Sequence, residues 1–410
     1  MHEFNLVDEG TVTSPVGFVA GSATAGIKEN KSRDISLVVS EVDAAAGGVF
    51  TKNVVVAPPV TLDRNTLETD SSKIRAVLAN SGNANACTGE EGMRNARAMQ
   101  RETAEQLSCD PEQVLIMSTG VIGHQLPMEK VLEGIEGAAK TLSRDGGYNA
   151  AEGIMTTDTF PKHIAAEVTA GEGTVVIGGM AKGSGMIHPD MATMLGVLTT
   201  DAKISPALLQ KMLKEAVDRS FNCISVDGDT STNDTVLMLA NGAGGVDVDA
   251  DERVKVAFGE ALEAVCVKLA KSIVRDGEGA TKFAEIRVSG TEDREGALQI
   301  ARTIATSPLV KTAFAGGDAN WGRILAAGGR AGVSFDAGEV MLTIGGVAHD
   351  ELTIVKGGGP VNYSEEEASE IFEAEEIRVH LRVGSGTGSA DYWTTDLTHG
   401  YITINSEYRT

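Results

Sequence analysis

Residues 182–202 read KGSGMIHPDMATMLGVLTTDA. A glycine-rich turn with Gly183 and Gly185 leads through a bend at Pro189 and Asp190 to the small Ala192, and Thr193 then opens an apolar run of Met194, Leu195, Val197 and Leu198. The glycines permit backbone angles barred to other residues, and Pro followed by Asp turns the chain. The apolar run predicts a buried strand that holds its first residue firmly. A secondary alcohol is a poor nucleophile without a base beside it. One compact solution cuts the chain before the threonine, so that its own freed α-amine, with an ordinary pKa of about 7.7–8.0, takes the hydroxyl proton. The plainer reading is a loop entering a core strand, with Thr193 a β-former that stands first.

Working outward, residues 164–169 and 175–178 predict two strands joined through AGEG, upstream of the strand at 194–199. Apolar periodicity predicts helices over 90–107 and 252–274. A third runs over 206–220, with Ser205 as N-cap and Pro206 at the first helical position. Beyond residue 285, the runs 340–344, 376–383 and 401–405 read as strands of a smaller mixed α+β unit, the last of them running almost to the chain end. Abundant glycine (48 residues) and few aromatics (4%) fit many short strands and tight turns with small residues between packed layers.

With 410 residues the chain is long enough for two or three domains around a sizeable core. The start MHEFNLVDEG has neither the basic region nor the apolar run of a signal peptide, and nowhere do eighteen apolar residues run together. Cys87, Cys109, Cys223 and Cys266 are scattered with no CxxC pair, which fits a reducing compartment, the cytoplasm, and argues against zinc or a disulfide framework. A formal charge of −23 disfavours nucleic acid or an anionic membrane as partner, since both are repelled at long range. A high-salt cytoplasm is an alternative source of that charge.

Other strings carry possible chemistry. In LIMSTGVIG, after an apolar run, the Thr119 hydroxyl and the Gly120 N–H can point together at a developing oxyanion; the same residues also read as an ordinary strand-end turn. VDGDTSTND, residues 226–234, is rich in carboxylates but lacks the spacing and closing glutamate of a calcium loop, and reads as a structured turn near the site. NSGNANACTG, residues 80–89, lines a pocket or caps the following helix, and its Cys87 has no histidine in sequence reach to make it a nucleophile. GDANWGR, residues 317–323, either shapes a pocket wall or locks the C-terminal subdomain.

Taken together, these strings resemble the ornithine acetyltransferase (glutamate N-acetyltransferase) family of arginine biosynthesis. The likeness runs almost end to end: GSATAGIK ending at Lys28, VFTKNVVVAPPV (49–60), NSGNANACTG (80–89), MSTGVIG (117–123), IMTTDTFPK (154–162), the segment 182–202, SFNCISVDGDTSTNDT (220–235), DGEGATKF (276–283), SPLVKTAFAGGDANWGRI (307–324) and INSEYRT (404–410). The resemblance implies an α+β fold, an α/β/β/α sandwich of the kind used by enzymes with amino-terminal nucleophiles, with a smaller C-terminal α+β subdomain. It implies self-cleavage between Ala192 and Thr193, giving an alpha piece 1–192 and a beta piece in which 193–285 completes the sandwich and 286–410 forms the subdomain. Two of each piece would assemble as a heterotetramer.

The resemblance also implies a role for each site residue. Thr193 is the nucleophile, and Thr119 with Gly120 form the oxyanion pair. Lys182 meets a substrate carboxylate as a point charge, and Glu278, flanked by glycines, meets the side-chain ammonium of ornithine. One of Thr156 and Thr157, with Asn405 and the terminal Thr410, completes the substrate contacts. A lysine or glutamate in a glycine-rich loop is otherwise a solvated charge, and a terminal threonine otherwise frays. The expected reaction moves acetyl from N2-acetylornithine to glutamate through an acetyl-threonine, with no cofactor and no metal. Three alternatives stay open: acetyl-CoA as an additional donor, an amidase or aminopeptidase with water as acceptor, and a silent binding protein that keeps the pocket uncut.

Overall fold

The strand Ile35–Phe50 (β3) is sixteen residues long and serves two sheets. It follows β1 (Phe4–Val7) and β2 (Phe18–Ala23) and precedes α1 (Pro58–Thr69), β4 (Ile74–Asn83), α2 (Gly89–Leu107), β5 (Val114–Val121), α3 (Met128–Lys140) and α4 (Gly147–Gly153). Then come β6 (Lys162–Ala170), β7 (Gly173–Lys182), β8 (Leu195–Thr200), α5 (Pro206–Asp218), β9 (Ile224–Ser225), β10 (Thr235–Ala240) and α6 (Glu252–Arg275). The computed structural model describes residues 4–170, 173–188, 194–347 and 350–407. Ala192, Thr193 and Thr410 lie outside the described residues.

The first half of β3 lies antiparallel between β2 and β4, and β4 pairs in parallel with β5. Its second half pairs with β10, which continues through β8, β7 and β6 to β1. The register with β4 slips between Val39 and Ala44, where the strand changes sheets. Arg75 covers that irregular stretch, its Nε and Nη2 donating to the carbonyls of Ser40 (2.9 Å) and Glu41 (3.1 Å). Backbone groups that leave a ladder need such substitutes.

Alternation along the strands sorts the two faces. Val38, Val77, Ala79, Leu115 and Met117 of one sheet meet Met180, Leu195, Val197, Leu237 and Leu239 of the other in a single buried core. Leu37, Val39, Ala76, Leu78, Val114 and Ile116 point the other way, onto Leu62 of α1, Ala96 and Met99 of α2, and Val131 and Ile135 of α3. On the far side of the other sheet, Gly179 faces α6 so closely that a Cβ there would lie 3.0 Å from Leu269 and 3.2 Å from Val265. The Gln210 amide of α5 both accepts from Gly48 N–H (2.9 Å) and donates to its carbonyl (3.0 Å). The order of layers is helices, sheet, sheet, helices, the expected α/β/β/α sandwich.

The hairpin β6–β7 and the helices α2 and α6 occupy the stretches where periodicity placed them. Ser205 stands at the N-cap of α5 with Pro206 behind it, but makes no capping bond. Its hydroxyl donates instead to Asp249 Oδ1 at 2.7 Å, a charged and therefore stronger acceptor.

Residues 223–228 group with the chain from 274 onward as a second compact unit. The reason is β9, which pairs in parallel with a strand near the chain end. This unit contains β11 (Phe283–Thr291), α7 (Arg294–Ala305), α8 (Pro308–Ala315), α9 (Trp321–Gly329), β12 (Met341–Gly346), β13 (Leu352–Lys356), β14 (Gly359–Pro360), α10 (Glu365–Glu373), β15 (Glu376–Arg382), β16 (Gly388–Thr395) and α11 (His399–Glu407). Its sheet runs β14-β13-β12-β15-β11-β16-β9. The expected boundary at 285/286 therefore falls inside β11, and the unit begins earlier. Residues 317–323 act as a lock: Asn320 caps α9 by accepting from Arg323 N–H (3.2 Å), while Arg323 Nη1 holds the Leu309 carbonyl of α8 (2.9 Å).

Residues 401–405 are not a strand but lie inside the helix α11. The run YITI alternates like a strand, yet Thr398 supplies a helix start, its hydroxyl accepting from Gly400 N–H at 3.0 Å.

Lys311, in α8, is buried, and its ammonium donates to the hydroxyls of Thr394 (3.0 Å) and Thr395 (2.9 Å) and to the Thr395 carbonyl. Burial pushes its pKa down to about 7 against the pull of Asp396 and Asp227. Between that value and the ordinary lysine range the unfolded chain binds a proton that the folded one does not, so stability rises with pH across this window. The contribution of Lys311 to the slope approaches about 1.4 kcal/mol per pH unit. Urea titrations at several pH values between 7 and 10 should show it, and Lys311→Met should flatten it.

Candidate active site

The site in the first unit is built on the ends of β5 and β7. Thr119 and Gly120 close β5, where its pairing with β4 slips around Gly82 and Asn83. Gly120 takes φ +130°, and a Cβ there would lie 2.3 Å from the Gly82 carbonyl carbon, so only glycine fits. Residues 80–89 stitch this turn in place: Asn83 Nδ2 donates to the carbonyls of His124 (3.2 Å) and Gln125 (3.3 Å), and Ser118 Oγ donates to Asn80 Oδ1 (2.6 Å).

Lys182 ends β7 and is 3% exposed. Its Nζ lies 3.3 Å from Thr119 Oγ1. An ammonium can only donate, so the threonine oxygen must accept and its own proton is turned elsewhere. Among the described residues that hydroxyl has no acceptor. It is a buried donor, polarised by a cation, beside a backbone N–H with no Cβ over it. Such a pair suits charge that develops on a carbonyl oxygen.

Asp158, which sequence reasoning passed over, organises the cations. Its side chain is fully buried, with Oδ1 2.7 Å from Lys162 Nζ and Oδ2 4.0 Å from Lys182 Nζ. It also accepts from the N–H groups of Gly183 (2.7 Å) and Thr156 (2.9 Å). Burial alone would raise its pKa, but Lys182, Lys162 and these bonds together hold the carboxyl well below the usual range. Through Thr156 the same carboxylate fixes the Thr156–Thr157 turn. Neither of those hydroxyls has a partner among the described residues.

Two further groups were missed. Lys28 lies against Gly82, where a Cβ would sit 3.0 Å from its Cγ, and burial pushes its ammonium down to about 8. Asp234, at the start of β10, is 0% exposed and accepts from Met194 N–H at 3.1 Å. Burial raises its carboxyl well above the usual range, with the Met194 bond pulling the other way. The only signals were a lysine at the end of GSATAGIK and one carboxylate of the acidic string 226–234, which ordinarily read as solvated loop charges.

In the second unit Glu278 and Asn405 come together, Asn405 Nδ2 donating to Glu278 Oε2 at 2.8 Å. The helix α11 makes this contact. Gly279 takes φ +66°, with its would-be Cβ 2.2 Å from Tyr401 N, so the turn carrying Glu278 tucks under the start of that helix. The Thr398 hydroxyl ties it there by donating to the Gly279 carbonyl (2.6 Å). Thus Thr119, Gly120, Lys182 and the Thr156–Thr157 turn gather in one unit, and Glu278 with Asn405 in the other. Among the described residues no cluster of three or more His, Cys, Asp or Glu side chains could hold a metal ion, and no helix is long and apolar enough to cross a membrane.

The family model described as the ArgJ family matches residues 19–410. The chain belongs to the ArgJ family. Relatives in that family include the arginine biosynthesis bifunctional protein ArgJ of Symbiobacterium thermophilum, 52% identical over 98% of this chain and 99% of the relative. The protein of the same name from Thermotoga neapolitana is 47% identical over 97% of this chain and 99% of its own. A solved structure of ornithine acetyltransferase complexed with ornithine from Mycobacterium tuberculosis is 39% identical, covering 45% of this chain and 98% of that one, with TM-score 0.42. Membership of the ArgJ family accords with the resemblance drawn from the motifs.

Proposed function

We propose that this chain is a glutamate N-acetyltransferase of arginine biosynthesis, moving acetyl from N2-acetylornithine to glutamate after cutting itself between Ala192 and Thr193. The observation that carries this is the buried contact from Lys182 to Thr119, which leaves the threonine proton free to meet an oxyanion beside Gly120. In maturation the Thr193 hydroxyl attacks the Ala192 carbonyl, and the peptide nitrogen leaves as the α-amine of Thr193. Water then hydrolyses the ester, freeing the hydroxyl and leaving a carboxylate on Ala192.

In turnover the α-amine takes the hydroxyl proton as Thr193 attacks the acetyl carbonyl of acetylornithine. It then passes the proton to the departing ornithine amine. Thr119 and Gly120 hold the oxyanion. Lys182 binds the substrate carboxylate, and Glu278 with Asn405 meets the ornithine ammonium, alongside Thr156 or Thr157 and the terminal Thr410. Glutamate then attacks the acetyl ester, and acetylglutamate leaves. The chemistry uses side chains and one amine, with no cofactor. Two copies of each piece assemble into a heterotetramer, as the family resemblance implies. The four cysteines, all free thiols, favour a cytoplasmic home.

The relatives are named bifunctional proteins. That favours a second half-reaction in which acetyl-CoA also loads the threonine. Purified protein given acetylornithine should release ornithine steadily only when glutamate is present. Equal release with and without glutamate would instead mark a hydrolase. Acetyl-CoA in place of acetylornithine separates the two donor readings. Thr119→Val should lower kcat by roughly 10²–10³ with KM little changed, since the hydroxyl acts on charge that exists only in the transition state. Initial rates across acetylornithine concentrations check this.

A further inference from the structure

The adjacent side chains of Asn233 and Asp234 reach to two sides of the site. Asn233 Nδ2 donates to the carbonyls of Ser118 (2.9 Å) and Ala84 (2.7 Å). Asp234 Oδ1 accepts from Met194 N–H (3.1 Å). The Ser118 carbonyl belongs to the peptide unit that carries the Thr119 N–H, and the Met194 N–H belongs to the peptide that joins it to Thr193. We propose that this Asn–Asp step is a positioning element, setting the spacing between the end of β5, which carries the oxyanion donors, and Met194, the residue bonded to the nucleophile. The inference rests on the roles given above to Thr119, Gly120 and Thr193.

The step is itself held rigidly. Asn233 and Asp234 are 4% and 0% exposed. Asp234 accepts at its carbonyl from Thr51 N–H (2.9 Å), and Asn233 N–H donates to Ser231 Oγ (3.0 Å). Thr235 N–H donates to the Met194 carbonyl (3.2 Å), so Met194 is gripped on both its backbone groups by consecutive residues. Residue chemistry matches each task. The asparagine amide offers two donors to two carbonyls, where a carboxylate would be repelled, and the aspartate offers an acceptor to an amide. Neither side chain bonds to the Thr119 or Lys182 side chain, and both act through main-chain peptides. Displacements of about 1 Å can cost about 10²-fold in rate when reacting groups must align, so a brace of this kind should set kcat and leave substrate affinity alone.

The test is a double-mutant cycle on acetyl transfer, with rates expressed per cleaved chain and folding followed by thermal melting. Asn233→Ala and Asp234→Ala should each lower kcat by roughly 10²-fold with KM within about threefold. Asp234→Asn, which keeps an acceptor, should restore most of the rate. Combining Asn233→Ala with Thr119→Val should cost far less than the product of the two single losses, because both act on one donor. Parental kcat in both alanine variants, a change confined to KM, or a multiplicative loss in the double variant overturns the inference. Parental kcat in Thr119→Val overturns the underlying reading instead. Should the alanine variants fail to fold, Asp234→Ser decides: it is polar but too short to reach Met194, and must lose rate where Asp234→Asn does not.

Discussion

Thr193→Ala should yield one unbroken polypeptide with no measurable acetyl transfer, a loss of roughly 10⁴-fold or more. Two effects converge on that residue. Without a hydroxyl no ester can form at Ala192, so the peptide nitrogen never becomes an amine. Without the amine, even a restored hydroxyl would lack its base. Thr193→Ser separates the two, since it keeps an alcohol and should still cut and turn over, more slowly. A denaturing gel and a glutamate-dependent assay on the same preparations read both steps.

Asp158→Ala should be the most damaging change away from the reacting atoms. It removes the shared counter-ion of Lys162 and Lys182, and breaking a buried ion pair by removing one partner costs about 3–5 kcal/mol. It also withdraws the acceptor for Gly183 and Thr156, so the end of β7 and the Thr156–Thr157 turn lose their common anchor. Activity should fall with stability, measured as the urea midpoint. Because the folded-state pKa of this carboxyl is depressed, its stabilisation is fully present above the ordinary aspartate value of about 3.9 and fades as pH falls toward the folded value. The alanine variant should lose that part of the parent's acid dependence.

Much of the framework was legible because it rests on local rules. Alternation marked the hairpin of β6 and β7, and 3.6-residue spacing marked α2 and α6. Gly120 and Gly279 stood out as glycines beside functional candidates, and both occupy left-handed backbone that any Cβ would block. The four-layer sandwich came from the family resemblance, since short strands of small residues do not declare which sheet they join. β3 illustrates this: nothing in ISLVVSEVDAAAGGVF announces that it changes sheets at residues 40–43.

The missed residues share a cause. Asp158, Asp234 and Lys311 are ionisable groups in strings that read as loop or helix surface, and only tertiary packing buries them. Burial of a charge depends on partners brought from distant sequence, as Lys182 is brought to Asp158. The misread C-terminal run had a local answer, since Thr398 lay in place to start a helix; the β-branched alternation of YITI outweighed it. The acidic string 226–234 was recognised as a turn near the site, but the division of labour between Asn233 and Asp234 depends on which carbonyls and amides lie opposite.

Whether a threonine exposed by self-cleavage carries the acetyl group is read by intact-mass analysis of the purified protein. The prediction is two fragments, the second beginning Thr193-Met194-Leu195-Gly196, with that fragment alone gaining one acetyl group on Thr193 when acetylornithine is added and losing it when glutamate follows. An active preparation that is a single uncut chain, or whose acetyl group resides on any other residue, would contradict it.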